Sequence, residues 1–363
     1  MIVILENHDN STIIGAAAAP YINTLANDSL GALFTQSIAL AHPSQPNYLM
    51  LLSGSDQGVT TDNVPSNLPF TTANLGASLI ARGKTFAGYS EDQPSTGYTG
   101  ATSGAYARKH NPWVNWQGIS TNGIPASCNV PLSNFPTLYD SLPTISFVIP
   151  NQNNDMHNGT DPATITTGDA WLRNHLDGYV QWAKSHNSLL ILTFDENDNS
   201  AGNHITTLFA GQMVKEGRYS EQITHYNVLR TLEEMYGLSY AGDSANVTAI
   251  SDCWITSIGT VIGTDHLKMP SSIRLEQNYP NPFNPSTTIR YALPTRSSVR
   301  LFISNTLGQE VAVLENGEQE AGYHEVEWHA NVASGIYFYR IDAVIANNPN
   351  QRFAQVKKML LLK

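Results

Sequence analysis

This sequence has little of what marks several common protein classes. It contains two cysteines in 363 residues, Cys128 and Cys253, too few for the disulfide framework of a small secreted domain. One bridge and two free thiols are equally open. No apolar run reaches the roughly 20 residues that a membrane-spanning helix needs. A Walker-type loop and a glycine fingerprint for a nucleotide cofactor are also absent. We therefore expect neither a transmembrane segment nor a nucleotide cofactor.

Positive charge is scarce as well. Lys and Arg number 19 against 30 Asp and Glu, a net charge of -11, and only 13% of the residues are charged. This balance argues against nucleic acid or an anionic membrane surface as the main partner. The acidic excess lies in residues 1–270, with 22 acidic and 10 basic residues, and a bound metal ion would partly offset it.

The composition and the first residues bear on localisation. Low charge with abundant Asn, Ser, Thr and Gly is typical of a secreted protein. Met1, however, opens directly into a predicted strand, with no basic segment or apolar signal segment before it. We expect that the true start, with a signal peptide, lies upstream.

The chain is too long for one ordinary core, and its pattern predicts two domains. Residues 1–255 alternate short apolar runs with helical patterns, which is typical of a parallel sheet covered by helices. Residues 256–273 are the candidate linker, and the short alternating strands of 274–363 predict a small antiparallel β-sandwich. The predicted strands of the first domain are 2–5, 84–89, 144–149, 189–194 and 205–210, and its predicted helices are 17–30, 75–82, 168–185 and 225–236.

Three of these predicted strands end in residues that can bind a metal or a phosphate. Glu6 and Asn7 follow the first strand, Asp155 follows the third, and Asp195 with Glu196 follows the fourth. In open α/β sheets, ligands bind at the carboxyl ends of the strands. We therefore expect distant parts of the chain to converge on one catalytic site.

Ser44 is the candidate nucleophile. It precedes a helical pattern opened by a proline, so it would lie at the positive end of a helix dipole, where backbone N–H groups can hold a phosphate. The alternative interpretation is a serine that merely caps the helix. A serine hydroxyl needs a base or a cation to lose its proton near neutral pH. Glu6 and Asp195 offer oxygen ligands that suit Mg, Ca or Mn. His157 and His204 would instead favour Zn.

Five motifs in this chain resemble the phosphoesterase family of acid phosphatases and bacterial phospholipases C, which belongs to the alkaline phosphatase superfamily. They occur in the family's order within residues 1–250. The motifs are Val3–His8, His42–Tyr48, Lys109–Trp113, Val148–His157 and Thr193–Glu196. The resemblance implies an alkaline-phosphatase-like fold and hydrolysis of phosphoric esters with one divalent metal ion.

The resemblance also implies roles for single residues. Ser44 is the catalytic residue that is phosphorylated during turnover, and His157 lies where it can protonate the leaving group. The implied metal ligands are Glu6, Asn7, Asp195 and Glu196. The implied substrate-binding residues are Asn47, Lys109, His110, Asp155 and His204. The identity of the ion stays open among Ca, Mg, Mn and Zn, with the acidic and amide ligands favouring Ca or Mg.

One motif departs from the family pattern. Many phospholipases of the family carry Asp-Glu-His-Gly-Gly where this chain has Asp195–Asn199, and this difference favours the acid phosphatase type. We expect a secreted phosphomonoesterase whose substrate is a phosphorylated small molecule or a phospholipid head group. A phospholipase C or another phosphodiesterase is the alternative, and a non-catalytic surface-binding protein is the second alternative.

The second predicted domain carries a resemblance of its own, to the type A sorting domain of the type IX secretion system. The motifs are Leu275–Ile289, Leu307–Val311, Gly322–His324, Ala333–Tyr339 and Lys357–Leu360. The resemblance implies an address for export and surface attachment that carries no chemistry, with the secretion machinery as partner. A generic immunoglobulin-like accessory domain is the alternative. The expected localisation is secreted or attached to the cell surface.

Overall fold

The computed structural model describes residues 1–255, 273–278, 281–346 and 348–362. The chain divides into two compact units, Met1–Gly259 and Thr260–Lys363. The predicted linker 256–273 lies outside the described residues except for Ile273. Cys128 and Cys253 both carry free thiols. No helix within the described ranges is long and apolar enough to span a bilayer.

The first unit is built from strands and helices that alternate along the chain. Its strands are β1 (Ile2–Leu5), β2 (Gly31–Ile38), β3 (Phe86–Ser90), β4 (Thr102–Ser103), β5 (Tyr106–Ala107), β6 (Asn129–Pro131), β7 (Ile145–Ile149), β8 (Leu190–Phe194), β9 (His204–Ala210) and β10 (Gly217–Ile223). Its α-helices are α1 (Asn10–Ile13), α2 (Pro20–Ala26), α3 (Ser44–Ser53), α4 (Leu75–Ala81), α5 (Ala163–Ala183) and α6 (His225–Met235).

Eight of these strands form one sheet, in the order β10-β2-β9-β8-β1-β7-β3-β6. All four residues of β1 are buried, as expected for a strand covered on both faces. Ile2 and Ile4 pack in one core with residues of α3 and α6, whereas Val3 and Leu5 pack in a second core with residues of α2 and α5. Successive side chains of a strand point to opposite faces. The predicted covering of the sheet by helices is therefore confirmed.

The direction of one strand differs from the prediction of a parallel sheet. β9 runs antiparallel to both of its neighbours, β2 and β8, whereas the other pairs in this sheet are parallel. The sequence prediction also missed β2 and β10. In β2 a buried half is followed by a partly exposed half. β10 lies at the edge of the sheet, where partly exposed residues alternate with exposed ones up to the buried Ile223. Neither strand has the continuous apolar run that identified the central ones.

Strand register brings the predicted site residues together. Leu5 of β1 pairs with Phe194 of β8, and Val3 pairs with Val148 of β7. The N–H of Asp195 donates to the carbonyl oxygen of Leu5 at 3.0 Å, and the N–H of Glu6 donates to the carbonyl oxygen of Asp155 at 2.8 Å. Parallel pairing thus places three strand ends side by side at one edge of the sheet.

The second unit is an antiparallel β-sandwich, as predicted. Its strands are β11 (Arg274–Leu275), β12 (Ser286–Leu293), β13 (Ser297–Asn305), β14 (Glu310–Gln319), β15 (Gly322–His329), β16 (Gly335–Ile345) and β17 (Asn348–Leu361). They form a three-stranded sheet, β11-β12-β15, and a four-stranded sheet, β14-β13-β16-β17. Ile289 and Tyr291 from the first sheet share one core with Leu301 and Ile341 from the second.

Gly88 in β3 gives a test of this packing. A Cβ atom at Gly88 would lie 2.1 Å from the ring of Trp113, which is fully buried. We predict that Gly88→Ala destabilises the first unit by about 1–3 kcal/mol, which lowers its melting temperature by roughly 3–10 °C. Gly217→Ala in β10 is the matched control, because there the nearest atoms, at 2.9 Å, belong to the movable ring of Tyr219. Equal melting temperatures for the two variants would contradict this account.

Candidate active site

Ser44 is the first residue of α3 and is buried. Its hydroxyl oxygen Oγ lies 3.1 Å from Glu6 Oε2 and 3.1 Å from Glu196 Oε1. A hydroxyl group has one proton, so Ser44 donates to one of the two carboxylates at a time and the other stays available. The first backbone N–H groups of a helix lack partners within it. The serine therefore combines two nearby proton acceptors with the positive end of a helix.

Asn47, one turn further along α3, fixes the loop that leads to Ser44. Its Oδ1 accepts hydrogen bonds from the N–H groups of Leu40 and Ala41 at 3.1 and 3.0 Å, and its Nδ2 donates to the carbonyl oxygen of Ala41 at 2.8 Å. The predicted phosphate-binding amide is thus engaged with the backbone of this loop. In this structure Asn47 holds the loop that precedes Ser44, and its binding of phosphate stays a prediction.

Glu6 is the residue that most of the site contacts. It is 0% exposed. The hydroxyl of Tyr48 donates to Glu6 Oε1, and His110 Nε2 lies 3.2 Å from the same oxygen. The rings of Tyr48 and His110 stack with 5.2 Å between their centroids. The other ring nitrogen of His110, Nδ1, lies 3.3 Å from Asp155 Oδ2. The carboxylate of Glu6 thus connects the candidate nucleophile Ser44 to His110, and through His110 to Asp155.

Asp195 lies beside Glu6 and is held by backbone contacts. The N–H of Asn7 donates to Asp195 Oδ1 at 3.2 Å, with Asn7 in the left-handed region at φ 51°, which asparagine tolerates. His225 Nε2 lies 2.7 Å from the carbonyl oxygen of Asp195. These contacts leave Asp195 Oδ2 and Asn7 Oδ1 buried, without a hydrogen-bond partner among the described residues.

The buried acids Glu6, Asp155, Asp195 and Glu196, here called the Glu6 cluster, are in an unfavourable environment for negative charge. Burial, and then the charges of Asp195 and Asp155, raise the pKa of Glu6 well above its ordinary value. Burial and the neighbouring Glu196 likewise raise the pKa of Asp195. Burial raises the pKa of Asp155 to about 7 and also raises the pKa of Glu196. A nearby cation would reverse these shifts, because it favours the charged form of each acid.

The donor set fits a divalent cation. Two buried acceptor oxygens, on Asn7 and Asp195, lack hydrogen-bond partners, and buried polar atoms of this kind need a partner. Glu6, His110 and Asp155 each offer one ligand atom, all within 4.8 Å of one another. Carboxylate and amide oxygens suit Mg, Ca or Mn, and the imidazole would also suit Zn. His110 and Asp155 are thus candidate ligands, in addition to the substrate-binding roles expected from the sequence.

The other predicted residues lie around this centre at different distances. His157 is half-buried, and its ring centroid lies 6.1 Å from that of His110. Lys109 Nζ is paired with Asp62 Oδ2 at 2.8 Å. His204, at the start of β9, places Nε2 3.0 Å from the carbonyl oxygen of Thr35 on β2. The described contacts of His204 therefore do not join it to the Glu6 cluster.

Sequence reasoning missed two residues that contact this cluster, Tyr48 and His42, and a third, Asp62, that contacts Lys109. Tyr48 follows Ser44 by four positions, which puts both on the same face of a helix, so the helical spacing could have identified it. His42 Nδ1 lies 2.6 Å from Glu196 Oε2, and its place two residues before Ser44 was a weaker signal. Asp62 belongs to a polar loop whose sequence gives no indication of a contact with Lys109.

Comparisons with known proteins give matches on both units. Residues 12–239 match the Phosphoesterase family, and residues 277–353 match the secretion system C-terminal sorting domain. A phosphatidylinositol-3-phosphatase of Mycobacterium tuberculosis is 48% identical over 259 residues, which are 70% of this chain and 82% of that protein. A phosphate-repressible acid phosphatase of Penicillium chrysogenum is 28% identical over 309 residues, which are 79% of this chain and 70% of that protein.

Among solved structures, a protein in the alkaline phosphatase superfamily from Vibrio parahaemolyticus is similar to this chain. The alignment covers 81% of this chain and 75% of that chain, with 12% sequence identity and a TM-score of 0.46.

The electrostatics of the cluster predict that Asp195→Asn changes stability in opposite directions without and with a divalent cation, relative to the wild type. In chelator, the variant should be at least as stable as the wild type, because it removes one buried negative charge that lacks compensation. With a divalent cation at about 100 times its Kd, the wild type should gain about 2.7 kcal/mol, or roughly 5–10 °C in melting temperature, and the variant much less.

Thermal melts with and without Mg²⁺, Ca²⁺, Mn²⁺ or Zn²⁺ measure this effect. Asp198→Asn is the matched control, because Asp198 is three residues from Asp195 in sequence but exposed, and it should respond like the wild type. An equal cation response of Asp195→Asn and the wild type would remove Asp195 from the ligand set.

Proposed function

This chain belongs to the Phosphoesterase family and hydrolyses phosphoric esters, and we propose that it is a secreted, metal-dependent phosphomonoesterase that works through a phosphoserine intermediate on Ser44. The observation that carries the proposal is the position of Ser44 Oγ, 3.1 Å from each of two buried carboxylates at the start of a helix. A capping serine needs neither carboxylate, whereas a nucleophile needs a proton acceptor.

The first step forms a bond between Ser44 Oγ and phosphorus and breaks the bond from phosphorus to the alcohol oxygen. The proton of Ser44 passes to a carboxylate oxygen of Glu6 or Glu196, the two acceptors within hydrogen-bond distance. His157 is the candidate that returns a proton to the departing alcohol oxygen, since it is accessible and next to His110. Water then cleaves the phosphoserine, which releases inorganic phosphate and restores the hydroxyl.

The residues that would hold the cation are Glu6, Asn7, Asp195 and Glu196, with His110 and Asp155 on the far side of Glu6. When bound, a divalent ion supplies positive charge that lowers the pKa of a hydroxyl and offsets charge on phosphate oxygens. The protein's own groups share this task. Lys109, which shares the carboxylate of Asp62 with the N–H of Gln45 at the start of α3, is the cationic side chain that can donate to phosphate oxygens.

The names of the relatives support a monoester substrate. The Mycobacterium tuberculosis relative is a phosphatidylinositol-3-phosphatase and the Penicillium chrysogenum relative is an acid phosphatase. A phosphate monoester, either on a small molecule or on the head group of a phosphoinositide, is therefore the proposed substrate class. A phosphodiesterase of phospholipase C type stays the alternative, which a substrate panel separates.

The sorting module supports export. Residues 277–353 match a domain family described as a secretion sorting domain, and the module is a separate β-sandwich without a residue of the Glu6 cluster. We propose that this module directs the enzyme to a secretion machinery, so that the enzyme acts outside the cell or on its surface.

The nucleophile assignment predicts that Ser44→Ala lowers kcat by a factor of about 10³ or more and leaves the fold intact. The measurement is hydrolysis of p-nitrophenyl phosphate together with a thermal melt. Ser53→Ala is the matched control, because Ser53 is a buried serine in the same helix whose hydroxyl bonds the carbonyl oxygens of Leu49 and Ser55. That control should keep its turnover. Substantial hydrolysis by the Ser44→Ala protein would exclude Ser44 as nucleophile.

The monoester assignment predicts a clear order of substrates. The value of kcat/KM for p-nitrophenyl phosphate should exceed that for bis-p-nitrophenyl phosphate by about 100-fold, because the Lys109 ammonium and a bound divalent ion would favour the dianion over the monoanionic diester. Hydrolysis of phosphatidylcholine should be weaker still. A preference for the diester or for phosphatidylcholine would favour the phospholipase alternative.

A further inference from the structure

Asp62 connects two parts of the active site that are distant in sequence. It lies in the loop between α3 and α4, and its side chain is 34% exposed. Its Oδ1 accepts a hydrogen bond at 3.0 Å from the N–H of Gln45, the residue after Ser44. Its Oδ2 accepts a hydrogen bond at 2.8 Å from Nζ of Lys109, the residue before His110. The carboxylate of Asp62 thus bridges helix α3, which begins at Ser44, and the segment that contains Lys109 and His110.

The position of this carboxylate is built into the site. The buried side chain of Gln45 donates through Nε2 to the carbonyl oxygens of Thr61 and Asn63, both at 2.8 Å. These are the residues on either side of Asp62. Gln45 therefore holds the loop through its side chain and receives the Asp62 carboxylate on its backbone N–H. Such reciprocal contacts are stronger evidence for a defined position than a single surface ion pair.

Lys109 is the group that this arrangement fixes. Its side chain is only 15% exposed. Its Nζ lies 2.8 Å from the carboxylate of Asp62, and an opposite charge at this distance favours the charged ammonium. An ammonium group has three N–H donors on a flexible four-carbon chain. Asp62 accepts from one of them and leaves two for other partners.

We propose that Asp62 is a positioning residue that holds the Lys109 ammonium beside Ser44, so that its remaining N–H groups receive the phosphate oxygens of the substrate. The inference rests on the proposed function, since it needs an anion that arrives next to Ser44. Asp62 itself touches neither the phosphate nor the reacting atoms. Its effect reaches the substrate through Lys109.

If Asp62 instead competed with the substrate, its neutralisation would change KM in the opposite direction. A carboxylate close to an incoming dianion repels it, and Asp62 occupies two donors that could otherwise bind phosphate. If Asp62 competed with the substrate in this way, its neutralisation would lower KM. If it positions Lys109, its neutralisation raises KM. The two roles are therefore separated by the direction of one change.

The experiment uses the full chain with Asp62→Asn, Lys109→Met, the double variant, and Asp56→Asn as control. An asparagine at position 62 can still accept from the N–H of Gln45, so the loop keeps its anchor and the charge on Lys109 loses its partner. Asp56 lies in the same loop and caps the N–H of Gly58 at 2.9 Å. The readouts are kcat and KM for p-nitrophenyl phosphate, and the Kd of inorganic phosphate by calorimetry.

We expect Asp62→Asn to raise KM and the phosphate Kd by about tenfold, with kcat within about threefold of the wild type. Lys109→Met should do at least as much, and the double variant should match Lys109→Met, because Asp62 then has no ammonium to hold. Asp56→Asn should leave both constants unchanged.

Three results would overturn the proposal. A lower KM for Asp62→Asn would show competition with the substrate. Additive effects in the double variant would show that Asp62 acts apart from Lys109. A lower melting temperature with unchanged KM and phosphate Kd would leave Asp62 a purely structural role. A different result would contradict the proposed function alone. If the wild type hydrolyses no phosphate ester, but the phosphate Kd changes across the variants as expected, the inference about Asp62 still holds.

Discussion

The buried carboxylate of Glu6 is the interaction on which the rest of the site depends. One of its oxygens lies 3.1 Å from the Ser44 hydroxyl, and the other receives the Tyr48 hydroxyl and lies 3.2 Å from His110. No exposed surface remains on Glu6. A charge in this position is costly unless it is compensated, and the neighbouring acid Asp195 adds to the cost. A positively charged ligand would supply this compensation.

The sheet explains how such an arrangement can persist. β1 lies between β7 and β8 in the sheet and all of its residues are buried. Packing on both faces of the sheet therefore fixes the position of its carboxyl end. Glu6 leaves this strand beside Asp195, and hydrogen bonds between the strand ends hold their backbones in register. The apolar core stabilises the molecule, and its rigidity keeps like charges close together at one edge. Within this unit, the residues that stabilise the fold and the residues of the candidate site thus lie in different places.

The sequence was sufficient for those parts of this architecture that are local. Apolar runs followed by acids identified β1, β7 and β8 and the residues at their ends, and the two family resemblances are confirmed. The antiparallel direction of β9 could not be predicted, because a short buried strand has the same pattern in either direction. The contact of Asp62 with Lys109 was equally inaccessible, since the two residues are 47 positions apart and meet only through the fold.

The most direct test of the account is mass spectrometry of the enzyme stopped with acid during turnover of a phosphate monoester. A phosphoryl group is expected on the peptide that contains Ser44, and it should disappear when the substrate is exhausted. A phosphoryl group on His157 or on another residue, or a rapid-quench time course without any phosphorylated enzyme before product forms, would contradict the claim that the Glu6 cluster activates Ser44 for attack on phosphorus.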